Sequence, residues 1–168
     1  ANLIISLTKS VACGNRVQSI FEIHSSQTVS GDSSIHGSED YAVEFRNVSL
    51  RYANAGEDSL TGMNFAVKRG ETVGIIGGTG SGKSSLVNLI PRFYDATGGE
   101  VLIGGVNVRD FPKEQLMDTV SFVFQNSRLI KGTIIENVRM ARPEASDDEV
   151  LRALEAAQCS DILEKLPD

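Results

Sequence analysis

The sequence contains no tryptophan, has only two cysteines, and lacks any long uninterrupted apolar run. Because Cys13 and Cys159 lie far apart and without metal-site spacing, the pattern excludes a disulfide-rich scaffold and indicates inert thiols in a reducing compartment. No apolar run approaches the roughly 20 residues that a membrane-spanning helix needs. The sequence therefore predicts no membrane span within these 168 residues.

Basic charge is also scarce. The chain has 16 Lys and Arg against 22 Asp and Glu, so its formal net charge is −6. A surface of this sign does not favour generic nucleic-acid binding, and no nucleic-acid partner is predicted. The 40% hydrophobic and 23% charged composition is ordinary for a globular domain, and the length suits one domain, or one domain plus an appendage.

Composition divides the chain into three segments. Residues 1–24 carry apolar residues at mostly helical spacing, with a break expected near Gly14. Residues 25–40 are rich in Ser, Gly and Asp, which predicts a linker. The two histidines, His24 and His36, flank or occupy this stretch and are expected to be solvated rather than to act as ligands or bases.

From residue 41 onward, apolar residues alternate with polar ones. The alternation predicts a half-buried strand with a bulge or turn around Asn47, followed by a turn at residues 53–59. A second strand is predicted through Met63, Phe65 and Val67. Two short antiparallel strands therefore precede the most informative stretch of the chain.

That stretch is residues 72–90, TVGIIGGTGSGKSSLVNLI, which reads as strand, glycine-rich loop and helix. The loop from Gly77 to Ser84 has the full pattern G-x-x-x-x-G-K-[ST]. Glycines let the backbone approach a ligand and take positive φ, and successive N–H groups then form an anion-binding nest. Lys83 supplies a positive charge for the β and γ phosphates, and the Ser84 hydroxyl can bind Mg²⁺. The pattern predicts nucleotide-phosphate binding; the alternative is a glycine loop that only tightens a strand–helix turn.

After the loop helix, residues 98–108 predict a hairpin with a glycine turn, and residues 112–117 predict a short helix. The largely apolar residues 120–124 predict a strand buried on both faces. Gln125 ends that strand, where open α/β sheets bind ligands. The alternative for Gln125 is a surface glutamine at the start of a loop.

Two helices are predicted in the last part of the sequence. The first is a short helix within residues 132–140. The second opens with a capping box formed by Ser146 and Glu149, whose acidic first turn suits the helix dipole. We expect these carboxylates to have a structural role rather than a catalytic one.

Three runs carry a resemblance to a known family. VSLRY, GETVGIIGGTGSGKSSLVNLIPRFYD and VSFVFQNSRLIKGTIIENV follow one another in the order and spacing of the nucleotide-binding domain of ATP-binding-cassette transporters. The chain resembles the exporter type, in which membrane and nucleotide domains are fused. The resemblance covers nearly all of residues 41–168, and residues 1–24 resemble the helical end of a transmembrane domain. It implies an α/β fold with a P-loop NTPase (RecA-like) core and an N-terminal antiparallel β subdomain.

The resemblance also implies roles for individual residues. Tyr52 matches the aromatic residue that stacks on adenine, although a core strand tyrosine is the alternative. Gln125 matches the glutamine that helps bind Mg²⁺ and senses the γ-phosphate, so Ser84 and Gln125 are the implied metal ligands. The residues implied to bind ATP are Tyr52, Gly77, Gly78, Thr79, Gly80, Ser81, Gly82, Lys83, Ser84, Ser85 and Gln125.

The family's remaining motifs are absent from these 168 residues. There is no LSGGQ-like signature, no run of four apolar residues ending in Asp-Glu, and no later histidine. Phosphoryl transfer relies on positioning and charge stabilisation, so we expect ATP binding without appreciable turnover. We therefore expect a C-terminally truncated piece of a longer transporter, with an incomplete core and poor stability on its own.

The implied partners are a second nucleotide-binding domain, in a homodimer or a heterodimer, and the transmembrane domain of the same transporter. The implied location is the cytoplasmic face of the cell membrane. The main alternative is a truncated or regulatory cassette that holds nucleotide without turnover. A different phosphate-loop enzyme, such as a GTPase, is disfavoured because the sequence has no base-reading N-K-x-D.

Overall fold

A computed structural model of the chain describes residues 2–22, 27 and 40–165. These residues form two compact units, one reaching to Phe122 and the other beginning at Val123. The elements in chain order are α1 (Asn2–Phe21), β1 (Tyr41–Leu50), β2 (Leu60–Lys68), α2 (Lys83–Asn88), β3 (Gly98–Ile103), β4 (Val106–Asn107), α3 (Lys113–Thr119), α4 (Ile134–Arg139), α5 (Asp147–Ala156) and α6 (Ser160–Leu163).

The first unit is built on a four-stranded antiparallel sheet in the order β2-β1-β3-β4. β1 is central, and its Phe45 lies opposite Phe65 of β2 and Val101 of β3. The rings of Phe45 and Phe65 stack with centroids 4.6 Å apart. The predicted antiparallel strands and the glycine-turn hairpin of β3 and β4 are thereby confirmed.

The predicted bulge at Asn47 is also confirmed. Asn47 has a φ of 50°, and the pairing of β1 with β2 shifts register between Phe45 and Val48. Opposite it, Gly99 has a φ of 71°, and a β-carbon there would collide with the carbonyl oxygens of Arg46 and Asn47. Only glycine fits at position 99, so the bulge and the start of β3 depend on each other.

The core of the first unit joins the sheet to the helices that follow the glycine-rich loop. Leu86 and Leu89 are 4% and 1% exposed, so the helical segment after the loop is anchored by burial. This anchoring fixes where α2 begins and therefore where the loop ends. The buried apolar cluster consists of Phe45, Val48, Leu50, Leu60, Leu86, Leu89, Ala96, Val101, Ile103, Val108, Phe111 and Leu116.

Two predicted strands are not observed. Neither residues 72–76 nor residues 120–124 belong to a strand, and the prediction that residues 120–124 are buried on both faces is wrong. Ile76 is 99% exposed and Val123 is 89% exposed. A strand needs a lateral partner for its backbone N–H and C=O groups, and within the described residues neither segment pairs with another strand.

The N-terminal helix α1 runs without interruption through Gly14, so the predicted break there is wrong. A β-carbon at Gly14 would meet nothing within 4 Å, and one glycine lowers helix stability by only about 1 kcal/mol. In the part of the chain that the structure describes, no helix is both long and apolar enough to cross a membrane. The predicted linker, including His36, and also His24 lie outside the described residues, apart from Gln27 and Asp40.

The second unit contains the short helices α4, α5 and α6, and the first two of them begin with side-chain caps. The predicted capping box at the start of α5 is confirmed, because Ser146 and Glu149 each bond the other's backbone N–H. Thr133 and Glu136 form a second box at the start of α4, which the sequence analysis did not predict. Both predicted helices of this region are confirmed.

Candidate functional site

The glycine-rich loop of residues 77–82 leads directly into α2. Gly80 and Gly82 have φ values of 82° and 83°, and Gly82 occupies the N-cap position of α2. A β-carbon on Gly82 would lie 2.8 Å from both the Ser59 carbonyl oxygen and Leu60 Cδ2. Glycine is therefore required at position 82 for two reasons, its left-handed backbone and its close approach to the start of β2.

Lys83 folds back over this loop. Its ammonium group donates hydrogen bonds to the carbonyl oxygens of Gly77 and Gly78, at 2.7 and 2.6 Å, and lies 3.3 Å from Ser81 Oγ. A β-carbon on Gly77 would lie 2.6 Å from Ser81 Oγ, so a side chain at this position would force the Ser81 side chain to move. The loop thus holds one full positive charge against closely spaced backbone, where the oxygens of an anion can compete for the lysine's hydrogen bonds.

An open cavity of about 590 Å³ lies beside the loop. This volume is within the range of about 300–1,000 Å³ that small-molecule sites occupy. The cavity joins the loop to the turn between β1 and β2, whose sequence contains no motif. The lining residues are Ala55, Gly56, Glu57, Asp58, Ser59, Gly80, Gly82, Ser84 and Ser85.

The charges at the rim of the cavity are partly compensated. Asp58 accepts a hydrogen bond from Arg51 Nε at 2.7 Å, and both side chains are partly exposed. This pairing offsets one of the two carboxylates that line the cavity, so the negative potential inside the cavity is reduced. The positive charge of the loop, Lys83, is not among the residues that line the cavity.

Tyr52 follows β1 and reaches the first turn of α2, directly after the loop. Its hydroxyl donates a hydrogen bond to Ser85 Oγ at 2.9 Å, and its ring meets Tyr94 edge to face, with centroids 4.9 Å apart. The ring is half-buried and packs against the core cluster, although Tyr52 lies beyond the end of β1 and not in a strand. The structure thus brings Tyr52 and Ser85 together, and it adds Tyr94, which carried no sequence signal because it lies 42 positions beyond Tyr52.

Gln125 lies in the second unit, at an exposed bend directly after residues 121–124. Its predicted role at a metal stays a prediction. Ser84 lines the cavity of the first unit and is exposed, so its hydroxyl is accessible to a ligand. Within residues 2–22, 27 and 40–165, no group of three or more His, Cys, Asp or Glu side chains could hold a metal ion.

Comparison with known proteins decides the family. Residues 60–168 match the family model described as ABC transporter. The chain belongs to the ABC transporter family. The resemblance found in the sequence is therefore confirmed, and membership implies a P-loop NTPase type of fold and nucleotide binding.

The curated relatives of this ABC transporter chain are export proteins. It is 41% identical, over 75% of its own length, to the candidate multidrug export ATP-binding/permease protein YgaD of Bacillus subtilis. It is also 41% identical, over 76% of its length, to the β-(1→2)glucan export ATP-binding/permease protein NdvA of Rhizobium johnstonii. A candidate multidrug export ATP-binding/permease protein of Staphylococcus aureus is 39% identical over 74% of the chain. In each case the matched region spans about 22% of the relative's length.

Proposed function

We propose that this chain is the ATP-binding part of an ABC exporter, in which ATP binding and hydrolysis drive the transport of a substrate across a membrane. The observation that carries the proposal is the loop itself: Lys83 is held against the backbone of Gly77 and Gly78, and other glycines of the loop, Gly80 and Gly82, line an open polar cavity. A triphosphate is compact and highly charged, so a site for it needs a cation and closely approaching backbone N–H groups. The names of the relatives, all export ATP-binding/permease proteins, support the same conclusion.

The proposed binding mode uses the residues implied by the resemblance. The backbone from Gly77 to Ser85 surrounds the phosphates, and Lys83 neutralises the β and γ phosphates. Tyr52 stacks its ring on the adenine base. The position of the Tyr52 hydroxyl at Ser85 supports this assignment, because it places the ring within reach of the end of the phosphate loop.

Magnesium fits the donor set of this site. Mg²⁺ prefers oxygen ligands and usually keeps several waters while binding one or two protein groups and the substrate phosphates. The Ser84 hydroxyl, which lines the cavity, is such a donor, and the Gln125 side chain is the second proposed ligand. When bound, the ion would neutralise phosphate charge.

The proposed domain organisation follows the sequence analysis. Residues 1–24 belong to the helical end of a transmembrane domain, residues 25–40 are a linker, and residues 41–168 are the first part of a nucleotide-binding domain. The proposed core is RecA-like and incomplete within this chain. Ile76 and Val123 are apolar, lie in segments predicted as strands, and are exposed. Their exposure supports the proposal that the core is incomplete, because further parts of a longer protein would cover such side chains.

We propose that hydrolysis and transport belong to a longer protein. Its partners are a second nucleotide-binding domain and the transmembrane domain of the same transporter, and it acts at the cytoplasmic face of the cell membrane. A truncated or regulatory cassette without turnover is the competing function. The coding sequence beyond Asp168 distinguishes them, since a continuing frame with LSGGQ and Asp-Glu supports the exporter and a stop codon supports the regulatory cassette.

Calorimetric titration of the chain with ATP, with and without Mg²⁺, tests the proposed binding. We expect measurable but weak binding that Mg²⁺ strengthens, and competition by inorganic tripolyphosphate because the phosphates supply much of the affinity. Absence of ATP binding would overturn the proposal. A parallel phosphate-release assay should stay at background, and sustained release by the pure chain would overturn the assignment of hydrolysis to a longer protein.

A further inference from the structure

The ring of Tyr52 is held by two side-chain contacts that no sequence motif explains. At its tip, the hydroxyl bonds Ser85 Oγ at 2.9 Å, across 33 positions of the chain. At its side, the Tyr94 ring meets it at an interplanar angle of 86°. A tyrosine ring is oriented by two torsions, so a contact at its tip and a contact at its side together limit how it can turn.

We propose that Ser85 and Tyr94 are positioning residues, which hold the Tyr52 ring in place for the nucleotide base before ATP binds. The inference rests on the proposed function, since it has meaning only if Tyr52 contacts the base. Ser85 lies two positions beyond Lys83, in the first turn of α2. The hydrogen bond therefore ties the base-binding ring to the same segment that holds the phosphates.

This arrangement has a measurable consequence. A ring that is ordered in advance loses less conformational freedom when the base stacks on it, so the affinity for ATP rises. One hydrogen bond contributes about two- to tenfold in an equilibrium constant. Inorganic tripolyphosphate has no base, so its affinity should not depend on the orientation of Tyr52.

A double-mutant cycle of Tyr52→Phe and Ser85→Ala tests the proposal on the whole chain. Tyr52→Phe keeps the ring and removes only the hydroxyl. Ser85→Ala also removes a hydroxyl from the phosphate segment, so it can weaken both ligands by itself. The cycle separates these effects, because only the shared hydrogen bond makes the two substitutions non-additive. Dissociation constants are measured with Mg²⁺ for ATP and for tripolyphosphate.

We expect a non-additivity of about two- to tenfold for ATP and none for tripolyphosphate. Additive effects on ATP affinity would overturn the inference while leaving the proposed function intact. Equal non-additivity for ATP and tripolyphosphate would also overturn the inference, because the hydrogen bond would then act on the phosphate-binding segment and not on the orientation of the Tyr52 ring. If the unsubstituted chain bound neither ligand, the proposed function itself would fail.

Conservative variants serve as controls that distinguish a lost contact from a misfolded chain. Ser85→Thr keeps a hydroxyl and should retain most of the ATP affinity that Ser85→Ala loses. Tyr94→Phe keeps the ring and should bind ATP like the unsubstituted chain. Tyr94→Leu removes the edge-to-face contact, so its affinity for ATP should fall while its affinity for tripolyphosphate stays unchanged. Thermal melting of every variant confirms that it is folded. Equal ATP affinity for Tyr94→Phe and Tyr94→Leu would contradict the role of Tyr94.

Discussion

Gly82 and Ser59 approach each other so closely that a β-carbon on residue 82 would lie 2.8 Å from the Ser59 carbonyl oxygen. The contact joins the end of the glycine-rich loop to the start of β2, two parts of the chain that also line one cavity. The loop is therefore not an isolated turn: its last glycine is part of the packing that sets the position of α2.

Gly82→Ala should destabilise the first unit and weaken ATP binding. Alanine at a φ of 83° costs about 1–3 kcal/mol of unfolding free energy, and its methyl group would also collide with Ser59 and Leu60. Urea unfolding and ATP titration measure the two effects. Gly74→Ala is the matched control, because a β-carbon at Gly74 meets nothing within 4 Å. Equal stability of the two variants would contradict the account of the loop.

Leu89→Ala should lower the unfolding free energy of the first unit by about 2–5 kcal/mol. Leu89 is 1% exposed and belongs to the buried cluster, so its truncation leaves a cavity beneath the segment that follows α2. Leu7→Ala makes the same chemical change on α1, where the side chain is 66% exposed, and should alter stability by no more than about 0.5 kcal/mol. Urea denaturation compares them; a similar loss in both would refute the proposed anchoring of α2.

The stability of α5 should depend on pH through Glu149. The pKa of Glu149 lies below its ordinary value of 4.5. The largest cause is the hydrogen bond from the backbone N–H of Ser146, followed by the hydrogen bond from the Ser146 hydroxyl and the positive charge of Arg142. A lowered folded-state pKa means that the stabilisation is complete above pH 4.5 and is lost as pH falls through the lowered value.

Glu149→Gln removes this titration. In urea unfolding followed by NMR at residues of α5, the variant should be less stable than the unsubstituted chain near neutral pH. The difference should shrink as the pH falls below 4.5. A difference that stays constant across this range would show that the carboxylate charge does not contribute.

Local patterns were sufficient to predict much of the fold. Alternation of apolar residues predicted β1 and β2, the bulge at Asn47 was visible as a slip in that alternation, and Ser146 with Glu149 predicted the start of α5. These features depend on residues that are near in sequence or on one face of one strand. Prediction failed for residues 72–76 and 120–124, because an apolar run cannot form a strand without a lateral partner, and no described strand pairs with them.

The candidate site was predicted only in part, because some of its residues meet through contacts between distant parts of the chain. The motif identified the loop from Gly77 to Ser85, since its chemistry is local. The contacts of Tyr52 with Ser85 and Tyr94 join residues 33 and more positions apart, so spacing alone could not reveal them. The turn at residues 55–59, which lines the cavity, has no motif and became part of the candidate site only through the packing of β2 against Gly82.

Titration of Lys83→Ala with Mg²⁺ and ATP tests the central claim most directly. The ammonium of Lys83 is the cation held at the loop, bonded to Gly77 and Gly78, and its removal should abolish the measurable ATP binding of the chain. Lys113→Ala, which removes an exposed lysine at the start of α3, is the matched control and should bind ATP like the unsubstituted chain. Equal ATP affinity of the unsubstituted chain and Lys83→Ala would contradict the account.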